Sequence, residues 1–245
     1  MIMLSTLLTF FFLPIILLRY FNLVQISVLI TETPPEELYN KIIGTYGVYV
    51  LLNVPFIILL AVYFAGANRI IKRLTFLQGI FFFADFAQGF KENIKDHLKA
   101  CVIYALLFAI FEFLAIYFKL NNQIVWYYLI KIVHYFVVLP LFLLFFFLAA
   151  IYSDRFKTKF KSAIIIYLKF YPRLALFVLG FYSPLIVLLL PSPAIQLFYP
   201  LGYVFIGGTL FLLIFALGLN NIFDATININ KFPTLYRKGL RPDNK

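Results

Sequence analysis

A chain of 245 residues that is 64% hydrophobic and 13% charged leaves no room for a soluble domain beside its apolar runs. Its net charge of +11 does not point to nucleic acid, because the cations sit in short clusters between those runs, where anionic lipid head groups account for them. The single cysteine, Cys101, excludes an intramolecular disulfide and a cysteine metal cluster.

A spanning helix needs roughly 20 apolar residues. The sequence predicts an all-α polytopic bundle of six spans, with five as the alternative. The first lies at about 2–18, with an apolar pattern that can run to 30. No basic segment follows Met1 and no small-x-small cleavage site follows the apolar core, so we read a retained span rather than a signal peptide. A loop at 31–41 carries Glu32, Glu36 and Glu37. The second span is 44–67, with Pro55 as a kink and Gly44 and Gly47 as packing positions.

Next comes ADFAQGFKENIKDHLKA. Phe83, Phe86, Phe90, Ile94 and Leu98 recur at helical spacing, and Asp85, Gln88, Glu92, Lys95 and Asp96 fill the other face. This predicts an amphipathic interfacial helix at about 83–99. Such a helix braces its own bundle, lies on lipid, or docks a partner's groove.

The third and fourth spans are 100–118 and 124–151, with Pro140 as a kink and Trp126, Tyr127 and Tyr128 at an outer aromatic belt. A second interfacial helix at about 156–170 precedes a fifth span at 174–190, which contains Pro184. Pro172 separates them, because Lys169 and Arg173 are costly deep in lipid. The sixth span is 198–219, with Gly207-Gly208 for close packing.

Seventeen of the 21 Lys and Arg residues fall in three stretches, 69–99, 152–173 and the tail from 231. The alternate segments hold only Arg19, Lys41, Lys119 and Lys131. That bias puts the three stretches in the cytoplasm, and six spans then put both termini on the cytoplasmic side as well.

Aligning Pro55 with Pro140 pairs NVPFIILLAVYFAGANRIIKR with VLPLFLLFFFLAAIYSDRFKTK and matches Lys72 to Lys157. The copies run in the same direction, as in a parallel repeat about the membrane normal. Chance likeness between apolar runs with basic ends is the competing account.

Charged groups inside spans are the chemical candidates. Glu112 lies about six residues from the outer end of span three, and Lys131 and His134 share a face of span four. They form either a polar site on a transport path or an ion pair that joins two helices, with Lys131 snorkelling outward. No catalytic residues are assigned. HExxH, paired-cysteine, Walker A and nucleophile-elbow patterns are absent, so no metal or cofactor is expected and the protein is read as a non-enzyme.

The stretch AGANRIIKRLTFLQGIFFFADFAQGFKENIKDHL resembles the YesL-like bacterial membrane proteins. The likeness rests on small residues at Ala65, Gly66 and Ala67, a basic helix from Arg69 to Arg73, and Phe83, Asp85 and Phe86. It continues through Gly89, Phe90, Lys91, Glu92 and Asn93. The loop at 31–41, with Pro34-Pro35, departs from the pattern. The resemblance implies a bacterial plasma-membrane protein, similar to members often encoded beside carbohydrate importers and sensor kinases, and it supplies no reaction. The expected partners are therefore anionic lipid and a membrane complex of that kind, with the protein as an accessory or regulatory subunit. The alternative is a small secondary transporter or channel using Glu112, Lys131 and His134. A lipid-acting enzyme would need further convergent polar groups at one depth, and the sequence has none.

Overall fold

In lipid, a backbone must satisfy its own polar groups, which leaves helices and closed barrels as spanning structures. The computed structural model describes residues 2–182 and 193–228, and among them every regular element is helical. In chain order these are α1 (Ile2–Glu32), α2 (Pro35–Thr75), α3 (Phe82–Leu120), α4 (Ile124–Ile151), α5 (Phe156–Tyr182) and α6. Helix α6 starts as Pro193–Tyr203, passes through a π turn at Val204–Gly208, and continues as Thr209–Phe223 to a second π turn, Asp224–Asn228. Five of these, all but α5, are long and apolar enough to cross a bilayer.

The first span takes its longer form. The predicted loop at 31–41 shrinks to Thr33 and Pro34, because Pro35 opens α2 and Glu36 and Glu37 sit in its first turn. A proline at the first helical position loses no hydrogen bond, and acids there favour the helix dipole.

A second correction concerns 83–99. It is not a separate interfacial helix, since α3 runs unbroken from Phe82 to Leu120. The cause is α2, which continues past its predicted end at 67 to Thr75 and packs against α3 in the most extensive helix contact among the described residues. At 1.5 Å per residue each arm of this hairpin is about 60 Å long.

Small residues allow the close approach. A Cβ on Gly89 would lie 2.7 Å from Arg69 Cβ and 2.9 Å from the Ala65 carbonyl oxygen. One on Gly66 would lie 2.6 Å from the Phe86 ring.

The second half of α4 is the centre of the bundle. Every residue from Phe142 to Ala149 is buried, as expected for a helix that is apolar all round. Its first half, Ile124–Val133, has no buried residue. Between them lies a π turn at His134–Val138. Pro140 has no N–H for the Phe136 carbonyl, and the Tyr167 hydroxyl of α5 donates to it instead. The carbonyls that end α4 receive lysines. Lys72 Nζ donates to the Ala150 and Ile151 oxygens at 3.1 and 3.4 Å, and Lys159 Nζ approaches the Ala149 oxygen at 3.5 Å. Cations at a helix C-terminus are favourable. Lys72 and Lys157, matched by the repeat, thus differ in setting: Lys157 is exposed.

Helix α5 bends at Phe170 (φ −117°, ψ 19°), two residues before Pro172, where the break between the second interfacial helix and the fifth span was expected. The rest of that span, with Pro184, lies outside the described residues. Helix α1 closes on α6 where Leu8 faces Gly208 and the buried Ser5 and Thr209 hydroxyls bond each other.

Candidate functional site

Two constellations hold the sequence candidates. The first is the charged group within the spans. Hairpin packing sets α4 beside α3, and Glu112 of α3 meets Lys131 and His134 of α4. Lys131 Nζ lies 2.6 Å from Glu112 Oε1, and His134 Nδ1 lies 3.7 Å from the same oxygen. The Tyr46 hydroxyl of α2 donates to Oε2. The Tyr104 hydroxyl is 3.3 Å from His134 Nε2, and the imidazole stacks on Phe111 and Tyr135 at 5.3 and 4.7 Å between centroids. Glu112 is 3% exposed. An ionised carboxylate in such a place survives only when paired and hydrogen-bonded, and both of its oxygens are.

Tyr46 and Tyr104 were not predicted. One polar atom on a ring among 17 tyrosines gives no signal until the neighbouring helices are placed. A cavity of about 380 Å³ opens elsewhere, between α4, α5 and α6, lined by Tyr152, Lys159, Ser162, Ile166, Lys169 and Thr226 among others. Glu112, Lys131 and His134 do not line it.

The second constellation is the loop end of the α2–α3 hairpin. Asp85, expected on a solvent face, is buried and faces α2. Arg73 Nη1 is 2.8 Å from Asp85 Oδ1 and 2.9 Å from Oδ2, and the same nitrogen donates to the Gly79 carbonyl at 3.0 Å. The Phe81 backbone N–H donates to Asp85 Oδ2 at 2.8 Å, which satisfies a donor left free at the start of α3. Glu92 pairs with Arg69 of α2 and accepts from Gln88. Gly89 is the point of closest contact. Phe90 and Lys91 face outward. The Asn93 carbonyl accepts from His97 Nδ1 at 3.0 Å, and His97 Nε2 then accepts from Asn68 Nδ2 at 3.2 Å. The predicted signature residues therefore divide into those that bind α3 to α2 (Asp85, Gly89, Glu92), one whose carbonyl orients a buried histidine (Asn93), and two that face outward.

Glu112 with Lys131 and His134 at one level, and His97 with Asn68 further along α3, remain separate. Among the described residues no group of three or more His, Cys, Asp or Glu side chains is arranged to hold a metal ion.

Five long apolar helices and an all-helical bundle define a multi-pass membrane protein. Compared with known proteins, the chain matches no family model, no curated protein and no solved structure.

Proposed function

We propose that this protein is a non-enzymatic accessory or regulatory subunit of a bacterial plasma-membrane complex, a carbohydrate ABC importer or a sensor system. The observation that carries this reading is the α2–α3 hairpin. Its arms are about 60 Å long, whereas a bilayer with its head groups is about 40–45 Å thick. Tyr39, Tyr117 and Trp126 anchor the opposite end as an interfacial aromatic belt would. The loop end, with the YesL-like stretch, then projects on the basic side, which the charge bias assigns to the cytoplasm. With the six crossings that the sequence predicts, both termini would lie there as well.

Affinity purification of the tagged protein in gentle detergent, with cross-linking and mass spectrometry, tests the reading. Stoichiometric recovery of importer or kinase subunits is expected. Recovery of the protein alone, as a monomer or homo-oligomer, rejects it.

A secondary transporter is the second reading, favoured by one observation: three ionisable side chains and a tyrosine hydroxyl meet inside the spans. Such clusters mark ion pathways in transporters. It requires Glu112→Gln to abolish uptake of the transported solute. Unchanged uptake of every candidate solute in that variant removes it.

A further inference from the structure

The cavity between α4, α5 and α6 lies apart from the Glu112 cluster, and its lining carries charges of both signs. At about 380 Å³ it falls in the size range of small-molecule sites. Asp154 lines it from the short turn between α4 and α5, and Lys159, Ser162, Ile165 and Lys169 line it in order along α5.

Helix α5 fixes the depth of these groups, because it runs antiparallel to the second half of α4. Lys159 Nζ stands beside the Ala149 carbonyl, near the end of α4. The Phe160 ring packs on Phe142 and Phe145, and the Tyr167 hydroxyl reaches the Phe136 carbonyl. Asp154 therefore lies at the end that the charge bias assigns to the cytoplasm. Lys169 lies about 15 Å beyond Lys159 along the helix, into the bundle. That rise is about half the thickness of a bilayer's hydrocarbon core.

A lysine at such a depth is costly unless it meets an anion or water. Lys169 is exposed, lies over the ring of its neighbour Phe170 at 5.6 Å, and has no ion pair among the described residues. Glu112, the one acid within the predicted spans, is already held by Lys131. The cavity gives Lys169 room for an anion from outside the chain.

Most other polar groups of the lining are engaged. Lys159 is 7% exposed and pairs with Asp96 at 2.7 Å. The Tyr152 hydroxyl donates to Asn228 Oδ1 and the Thr226 hydroxyl to the Ile222 carbonyl, each at 2.7 Å. Among the described residues this leaves Ser162 and Lys169 as donors and Asp154 as an acid with no ion pair. The uncompensated charge is positive at the deep end and negative at the cytoplasmic mouth. A simple anion satisfies only the deep end, and a simple cation only the mouth. A dipolar group with its anion innermost satisfies both. Phospholipids whose phosphate carries an ammonium lie in the inner leaflet in that order, with acyl chains deepest and the ammonium toward the cytoplasm. Ile165, which lines the cavity and is 54% exposed, offers those chains an apolar way out to the bilayer. A primary ammonium also gives Asp154 charge-assisted hydrogen bonds that a quaternary one lacks.

We infer that this cavity binds the head group of an inner-leaflet ethanolamine phospholipid, with its phosphate on Lys169 and Ser162 and its ammonium on Asp154. Soluble phosphoethanolamine shares that chemistry. The site depends on neither of the functional readings above.

Native mass spectrometry of the full chain in gentle detergent tests it, with phosphatidylethanolamine, phosphatidylglycerol and phosphatidylcholine of the same chains, and phosphoethanolamine, as probes. One retained phosphatidylethanolamine is expected, with the other two lipids held about fivefold or more weakly. Lys169→Gln should weaken that retention about tenfold or more, and Asp154→Asn should erase the preference over phosphatidylglycerol. Equal retention of the three lipids, tighter binding of phosphatidylglycerol, or unchanged retention in Lys169→Gln overturns the inference. Phosphoethanolamine bound as tightly as the lipid upholds the chemistry of the site and overturns its lipid source. Lipid-free melts of both variants within about 2–3 °C of the parent assign their losses to the site. Should either melt lower, Ser162→Trp, which fills the cavity without changing a charge, decides: retention of phosphatidylethanolamine in that variant overturns the inference, and its loss with the parent's melt upholds it.

Discussion

Glu112 answers to three other helical positions at once, and its worth lies in what it leaves behind when removed. Glu112→Gln strands the Lys131 ammonium, 2.6 Å away, in a place built for an ion pair. Breaking one side of a buried pair costs about 3–5 kcal/mol. We expect a markedly lower thermal midpoint in detergent for Glu112→Gln, and recovery of most of it in Glu112→Gln/Lys131→Met. A midpoint unchanged in the single variant removes the structural account of the cluster. Leu77 makes the opposite prediction. At φ 52° with its side chain in solvent, Leu77→Gly relieves left-handed strain and stabilises the isolated protein by about 0.5–1 kcal/mol. The equivalent position ending α3, Asn122 at φ 56°, is already a residue that tolerates that conformation, so Asn122→Gly changes the midpoint little. Comparing the two melts separates strain at Leu77 from a general loop effect. The Glu112–Lys131–His134 grouping was legible because charges are rare in spans and spacing sets the shared face. Tyr46 was not legible, because it comes from a helix whose neighbour only packing decides.

At the scale of elements, the α2–α3 interface depends on the absence of side chains. Gly89→Ala must displace either Arg69 Cβ or the Ala65 carbonyl, neither of which is a flexible end. We expect a loss of about 1–3 kcal/mol. Gly79→Ala, with nothing within 4 Å of the added carbon, serves as the neutral control. Equal melts for the two variants would show that the helices separate without cost. The amphipathic pattern of 83–99 was legible, but its polarity was reversed at Asp85. Periodicity states which residues share a face and is silent on which face turns inward. Here Arg69 and Arg73 on α2 draw Asp85 and Glu92 toward the interface, while Phe83 is left outside.

For the whole molecule, the long hairpin and the central helix, two of the features that the described residues show, make a simple topological claim. Thr33 and Gln78 lie beyond opposite ends of α2. Cys101 is buried and does not compete for reagent. A membrane-impermeant maleimide added to intact cells is expected to label Thr33→Cys and to leave Gln78→Cys unlabelled until the membrane is opened. Labelling of both from outside rejects the proposed orientation. Helix α4 shows the same scale from within. Its second half is wrapped on all sides while its first half is not, and both halves are similarly apolar in sequence.

Sequence alone determined the solvent of this protein. Apolar length marks the segments that can cross a bilayer, and the clustering of Lys and Arg predicts which of their ends share a side, because the costs of moving a backbone or a charge into lipid are properties of single segments. Tertiary structure decided everything that depends on pairs of segments. It fused the predicted helix at 83–99 with the third span, buried Asp85, set Tyr46 against Glu112, and left a strained leucine and two phenylalanines at the end of a long hairpin. The physical reason is that side-chain pairing across helices depends on the relative height and rotation of the two axes, which no local pattern encodes.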